Sequence, residues 1–263
     1  MKRLFRRIKH ALSIGSLHRA RRHRRPSFAP RVELLEDRTL LAGMTFTVDS
    51  AADINDSDVT AGNFELREAV LAANANPGTD SIQFDPLLNG QTITLLLGQL
   101  EITESLIVNG PGASNLTVDG GGSSRVIDIT ATASDVALDG LTISGGQTPT
   151  TGSAEDRSGG GIRSQANGLV EVSNSTISSN SAAVLGGGIY ATTDFELTDS
   201  TVTGNDALAG GGIGHEAVFT ILNSTVSSNT ASVGGESIIA ARCMWRTARS
   251  PTTLPPNRQV ALT

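Results

Sequence analysis

Few side chains in this sequence could do chemistry, and their types bound what that chemistry is. Beyond the first 23 residues the only histidine is His215, and there is no G-x-S-x-G elbow, H-E-x-x-H pair or P-loop. Acid–base work would fall to Asp194, Asp199 and Asp206 with Arg157 and Arg163. All five lie in polar loops or repeats where solubility accounts for them, so no catalytic residue is assigned. Asp53, Asn55, Asp56 and Asp58 offer oxygen ligands but lack the glycine and terminal glutamate of an EF-hand loop. Gly211-Gly-Ile-Gly-His-Glu216-Ala-Val218-Phe219 is one residue type away from a calcium-binding nonapeptide. That motif needs tandem copies, and the equivalent stretch GGGIYATTD lacks it. No metal ligand and no cofactor is assigned; calcium stays open on this weak signal. Arg67 and Glu68 are neighbours, diverge on a helix, and read as a solvated or lid-fixing pair.

The elements that must position these residues are repeats. NSTISSNSAAVLGGGI, DSTVTGNDALAGGGI and NSTVSSNTASVGGESI follow one another with a period of 24 to 25 residues. Asn174 recurs as Asp199 and Asn223, Asn180 as Asn205 and Asn229, and Ile189 as Ile213 and Ile238. A unit that short is one turn of a solenoid, stable only when stacked on its neighbours. Phe195-Glu-Leu197-Thr and Phe219-Thr-Ile221-Leu alternate with period two, so the stacked elements are strands, about three per coil. Phe195, Leu197, Val202, Leu208 and Ile213 are the expected inward set of one coil. Gly186–Gly188 and Gly210–Gly212 suit a tight corner where coils approach closely. Asn180, Asn205 and Asn229 are expected to stack as an amide ladder along the axis.

Upstream, Leu66, Ala69, Val70 and Ala73 form an apolar stripe at helical spacing. Asn63 is placed to cap that helix and Asn76-Pro77-Gly78 to end it. With a strand around Phe46 and Val48 it reads as a lid over the open end of the solenoid. Ile82–Phe84, Thr92–Leu95, Leu106–Val108, Leu116–Val118, Val126–Ile129 and Val136–Leu138 read as the strands of less regular first coils. Gln147 to Ser158 reads as a loop protruding from the wall.

The G-G-G-I and N-S-T-[IV]-x-x-N pattern over roughly 140–238 resembles the right-handed parallel β-helix repeats of polymorphic outer-membrane proteins and related bacterial surface proteins. Phe64-Glu65-Leu66-Arg67-Glu68-Ala69 resembles the CSLREA motif that precedes such repeats, with Phe64 and Glu65 replacing Cys and Ser; Leu66, Arg67, Glu68 and Ala69 are its matching cap residues. Val32-Glu-Leu-Leu-Glu-Asp37-Arg-Thr-Leu-Leu41 resembles the LEPR-XLL leader of exported planctomycete proteins, with Asp37 in the proline position. The fold is similar to that of polysaccharide lyases and hydrolases that use clustered aspartates, sometimes with calcium and an arginine base, on the outer wall. The resemblance implies the fold and leaves activity open, because one coil serves adhesins, stalks and enzymes.

Charge divides the chain. Residues 1–42 hold twelve Lys or Arg against three acids, residues 43–234 four Arg against 22 acids, and residues 235–263 four Arg against one, giving +9, −18 and +3. An acidic body repels phosphate, which argues against nucleic acid as a partner. No stretch approaches the roughly 18 consecutive apolar residues of a membrane span. Cys243 stands alone and can form no internal bridge. After Gly235 the repeat chemistry stops, yet back-translation with permitted codons and a one-nucleotide shift reads GIYNRGTMYVENSTVSNNTAS. Its NSTVSNNTAS differs from Asn223–Ser232 at one position, so a frameshift near Gly235 in the gene or its sequencing is inferred.

The expectation is therefore an all-β chain, a right-handed parallel β-helix (solenoid) with a short N-terminal capping helix. A basic export leader occupies 1–42, a CSLREA-like cap 43–90, the β-helix 91–238 and an aberrant, disordered tail 239–263. The expected function is that of an exported cell-surface or extracellular protein, adhesin-like or structural and non-enzymatic. Alternatives are a carbohydrate-active β-helix enzyme, favoured if an aligned Asp/Arg cluster lines one outer face, and a truncated passenger fragment of a larger surface protein. The expected partner is an unidentified glycan or surface protein, and unpaired final strand edges also allow edge-to-edge self-association.

Overall fold

The computed structural model describes residues 43–56 and 62–233, with the backbone of Ile238–Ile239 and Cys243–Arg246. Strands of two to five residues are too short to stand alone, and each finds its partner one coil away. All pairings between these strands are parallel, and they build a β-helix of stacked sheets. The first sheet has eight strands, beginning with Thr45–Val48 and Asp80–Phe84 and continuing to Phe195–Thr198, Phe219–Leu222 and Cys243–Arg246. The second has six: Leu100–Ile102, Ile127–Ile129, Ile162–Ser164, Ile189–Ala191, Ile213–His215 and Ile238–Ile239. A third sheet of six runs from Gln91–Thr94 to Thr225–Ser227. Ile189, Ile213 and Ile238 pair in a single row, so the repeat register read from the sequence is the stacking register.

Two features differ from the expected coil. A fourth sheet, Ser181–Leu185, Asp206–Ala209 and Thr230–Ala231, adds a side to the later coils. Its inward positions hold small residues, Ala182 and Ala207, so Leu208 takes the opposite parity and lies 45% exposed instead of joining the core. Phe195, Leu197, Val202 and Ile213 are buried. The column they extend is built from Ile, Leu and Val, and Phe195 stacks on Phe219 with ring centroids 4.8 Å apart.

The corners are set by backbone chemistry. Asn174, Asp199 and Asn223 adopt φ of 48°, 49° and 49°, a left-handed conformation that Asn and Asp tolerate better than most residues. The first glycine of each run, Gly159, Gly186 and Gly210, is also left-handed, with φ of 71°, 59° and 57°. A later one, Gly188, is required by close approach, since a Cβ there would sit 2.7 Å from the carbonyl oxygen of Gly212 in the next coil.

The cap helix spans Leu66–Ala75 and packs on Thr45–Val48, Asp80–Phe84 and Leu100–Ile102 through Leu66, Ala69, Val70 and Ala73, all buried. Glu65 occupies the N-cap position, so Asn63 lies two residues outside the expected start, and Asn76 ends the helix. The strand Leu100–Ile102, unread in the sequence, is what the helix leans on. Among the described residues no helix is long and apolar enough to cross a membrane. The leader, residues 1–42, lies outside the described residues, as do residues 234–237 around the inferred frameshift. Within the stretch expected as a tail, Cys243–Arg246 forms a strand paired with Phe219–Leu222.

Candidate functional site

The second sheet aligns the polar groups of most interest. Leu100 and Ile102, Ile127 and Ile129, and Ile162 and Ser164 point inward, so the residues between them face out. Glu101, Asp128, Arg163 and Tyr190 then follow one another in register across four coils. Asp128 is 3% exposed and accepts from Arg163 Nε and Nη2, both at 2.7 Å, and from Gln99 Nε2 at 2.9 Å. Arg163 Nη1 reaches Asp156 Oδ1 at 3.0 Å.

Arg125 lies beneath this pair. Its Nε donates to Gly159 O (2.8 Å), Nη1 to Gln99 Oε1 (2.8 Å), and Nη2 to Asp156 O (2.8 Å) and Ser158 O (2.9 Å). Burial pulls the Arg125 guanidinium down to about 10, with the charge of Arg163 adding to the effect. Arg163 is held above the usual arginine range, chiefly by its hydrogen bond to Asp128. Asp156 is held below the carboxylate range first by the Ser153 hydroxyl and then by Arg163.

Together these bonds clasp the Gln147–Ser158 excursion onto the wall. Gln165 Nε2 adds a bond to Glu155 at 2.8 Å, and on the far side Thr148 N donates to Ser181 O at 3.1 Å and Val184 N to Arg157 O at 2.9 Å. The loop leaves Pro149–Asp156 exposed. Beside it a shallow depression of about 310 Å³ is lined by Gln147, Thr150, Ser181, Asp206 and Leu208.

Of the five residues the sequence singled out for acid–base work, the structure brings only Arg163 into this cluster. Asp194 precedes the first sheet, Asp199 occupies a left-handed corner, Asp206 opens a strand of the fourth sheet, and Arg157 lies in the excursion. They do not converge. Asp128, Asp156 and Arg125 were missed, because the coils around them are 27 to 35 residues long and hide the register that pairs Asp128 with Arg163 and Arg163 with Tyr190.

The nonapeptide-like segment is engaged elsewhere. Tyr190 Oη donates to Glu216 Oε1 at 2.6 Å, and burial followed by this bond raises the phenol above its ordinary range. His215 packs on Phe219, ring centroids 5.3 Å apart, and burial lowers its pKa.

Asn180 Nδ2 donates to Asn205 Oδ1 at 3.0 Å, and Asn205 Nδ2 to Asn229 Oδ1 at 2.9 Å. The same oxygens accept the Asn180 and Asn205 backbone N–H groups, each at 3.0 Å. A second ladder went unread in the sequence: Leu141 N donates to Ser175 Oγ (3.1 Å), Ser175 N to Ser200 Oγ (3.0 Å) and Ser200 N to Ser224 Oγ (3.0 Å). Its signal was the serine that follows Asn174, Asp199 and Asn223.

In the cap, Arg67 is a rivet. Its Nε donates to Asp53 Oδ1 (2.6 Å), Nη2 to Asp53 Oδ2 (3.1 Å), Nη1 to Gln99 O (3.1 Å) and Nη2 to Gly98 O (2.5 Å). Asp53 also accepts the N–H groups of Leu96 (2.6 Å) and Leu97 (2.8 Å), which spends it as a cation ligand. Among the described residues, three carboxylates converge in one place, at Asp56, Glu65 and Glu68 of the cap. No family, no curated protein and no solved structure matches the chain.

Proposed function

We propose that this is an exported cell-surface or extracellular β-helix that acts by binding, or as a structural stalk, without turnover. The observation that carries the reading is the saturation of the Arg125–Asp128–Asp156–Arg163 cluster. Both oxygens of Asp128 accept charged hydrogen bonds, and Arg125 is spent on loop carbonyls. Arg163 is held protonated, whereas a general base must be able to take a proton. Such a clasp fixes a hydroxyl-rich loop and its neighbouring depression as a rigid face, the form a glycan or a surface protein can dock on. Export is supported by the basic, leader-like first 42 residues, and the acidic body argues against nucleic acid.

The second reading, a carbohydrate-active enzyme, is favoured by the in-register row of Glu101, Asp128 and Arg163 on one outer face. One experiment separates the two. The purified protein is offered a panel of polysaccharides and surface proteins, with and without calcium. Saturable binding without product is expected. Release of unsaturated or reducing ends, abolished by Arg163→Ala, would reverse the order of the two readings.

A further inference from the structure

We propose that the cap carries a divalent-cation site, best suited to calcium, formed by the carboxylates of Asp56, Glu65 and Glu68. Glu65 holds the N-cap position of the helix Leu66–Ala75 and Glu68 lies three residues on, so both side chains rise from the same turn. Asp56 arrives on the loop between Val48 and Phe64. That loop is pinned at its base, where Asp49 accepts the N–H groups of Gly62 (2.7 Å) and Phe64 (2.8 Å) and Ser50 bridges Glu65. One oxygen from each of the three carboxylates lies within 4.8 Å of the others. Oxygens that share a calcium ion at about 2.3–2.6 Å stand at most about 5 Å apart, whereas magnesium at about 2.0–2.1 Å draws them within about 4 Å. The spread therefore fits the larger ion.

The second observation is the state of Glu65. It is 3% exposed, its Oε2 has no hydrogen-bond partner, and among the described residues it forms no ion pair. A buried carboxylate oxygen with nothing to accept from is costly, and a cation satisfies it. Arg67 is the only basic side chain between residues 43 and 124, and it is committed to Asp53. The partial charge of a helix N-terminus, about half an elementary unit, offsets only a fraction of three carboxylates. Oxygen-only donors select a hard cation, with waters completing the shell. Bound there, the ion ties the loop to the first turn of the helix and so fastens the cap.

The test is thermal unfolding of the full chain in EDTA, calcium and magnesium, together with calorimetric titration of calcium. One equivalent of calcium is expected to bind with Kd on the order of 10⁻⁴ to 10⁻³ M. The midpoint should rise by roughly 3–6 °C at ten times Kd, with magnesium weaker. Asp56→Asn, at an exposed position that leaves folding intact, should weaken calcium by about tenfold or more. Glu65→Gln should abolish the response while raising the midpoint in EDTA. Asp206→Asn, on the fourth sheet, should leave the response unchanged. No calcium-dependent shift in the unmodified protein, as expected if the two glutamates merely share a proton, overturns the proposal. So does a shift of full size in Asp56→Asn or Glu65→Gln.

Discussion

Asn205 is the residue whose loss should tell most about how the coils are held. Its Oδ1 accepts from both the backbone and the side chain of Asn180, and its Nδ2 donates to Ile177 O at 2.9 Å and to Asn229. Asn205→Ala strands two buried donors of Asn180, each costing about 1–3 kcal/mol. Chemical denaturation should show a larger loss for Asn205→Ala than for Asn229→Ala, whose position is only partly buried. Val202→Asp places an unpaired charge in the column, and an unfolding free energy reduced by more than about 4 kcal/mol is expected. His215 sets a pH dependence. Burial lowers its folded pKa below the ordinary 6.5, so the unfolded chain binds more protons below that value. The contribution of His215 is complete above pH 6.5 and declines as pH falls through the folded pKa. Denaturant midpoints at pH 5.5 and 7.5 should converge in His215→Gln relative to the unmodified protein. The asparagine row was legible because a fixed spacing in sequence becomes a stack in space; the role of Asp128 was not, because nothing in a lone Ile-Asp-Ile says which strand lies beside it.

Between residue and molecule stand two fastened elements, the cap and the excursion loop. Asp53→Ala removes the carboxylate that orients Arg67 and accepts Leu96 and Leu97, leaving a largely buried guanidinium without its counter-ion. A loss of about 3–5 kcal/mol is expected, with hydrogen exchange rising first in Leu66–Ala75. Arg125→Met deprives the carbonyls of Asp156, Ser158 and Gly159 of their donor. The excursion should then be nicked by protease between Pro149 and Asp156 while the coils stay intact, and gel mapping of the fragments checks this. The cap helix was readable from its apolar stripe, but its partner strand Leu100–Ile102 was not. Three residues between turns carry too little periodicity to declare themselves, and only the first coil's packing makes them a strand.

At the scale of the whole body, each coil touches only its neighbours, so stability should behave as a chain of nearest-neighbour terms. Amide exchange should be slowest in the central coils around Val172, Ile177 and Leu197 and faster toward Val226, and a destabilising change in one coil should spread to adjacent coils before distant ones. A single global rate across all coils would contradict this. The sequence alone determined the solenoid, its 24 to 25 residue register, the inward Ile, Leu, Val and Phe of the regular coils and the helical cap, because each follows from a local period or a repeat interval. Only the tertiary structure decided the fourth sheet, the outward turn of Leu208, the Arg125–Asp128–Arg163 clasp, the Arg67–Asp53 rivet and the meeting of Asp56 with Glu65 and Glu68. Those depend on which irregular coil lies against which, and on the path of each loop between strands. Both are settled by stacking and desolvation across the whole body, and no pattern within a single coil contains them.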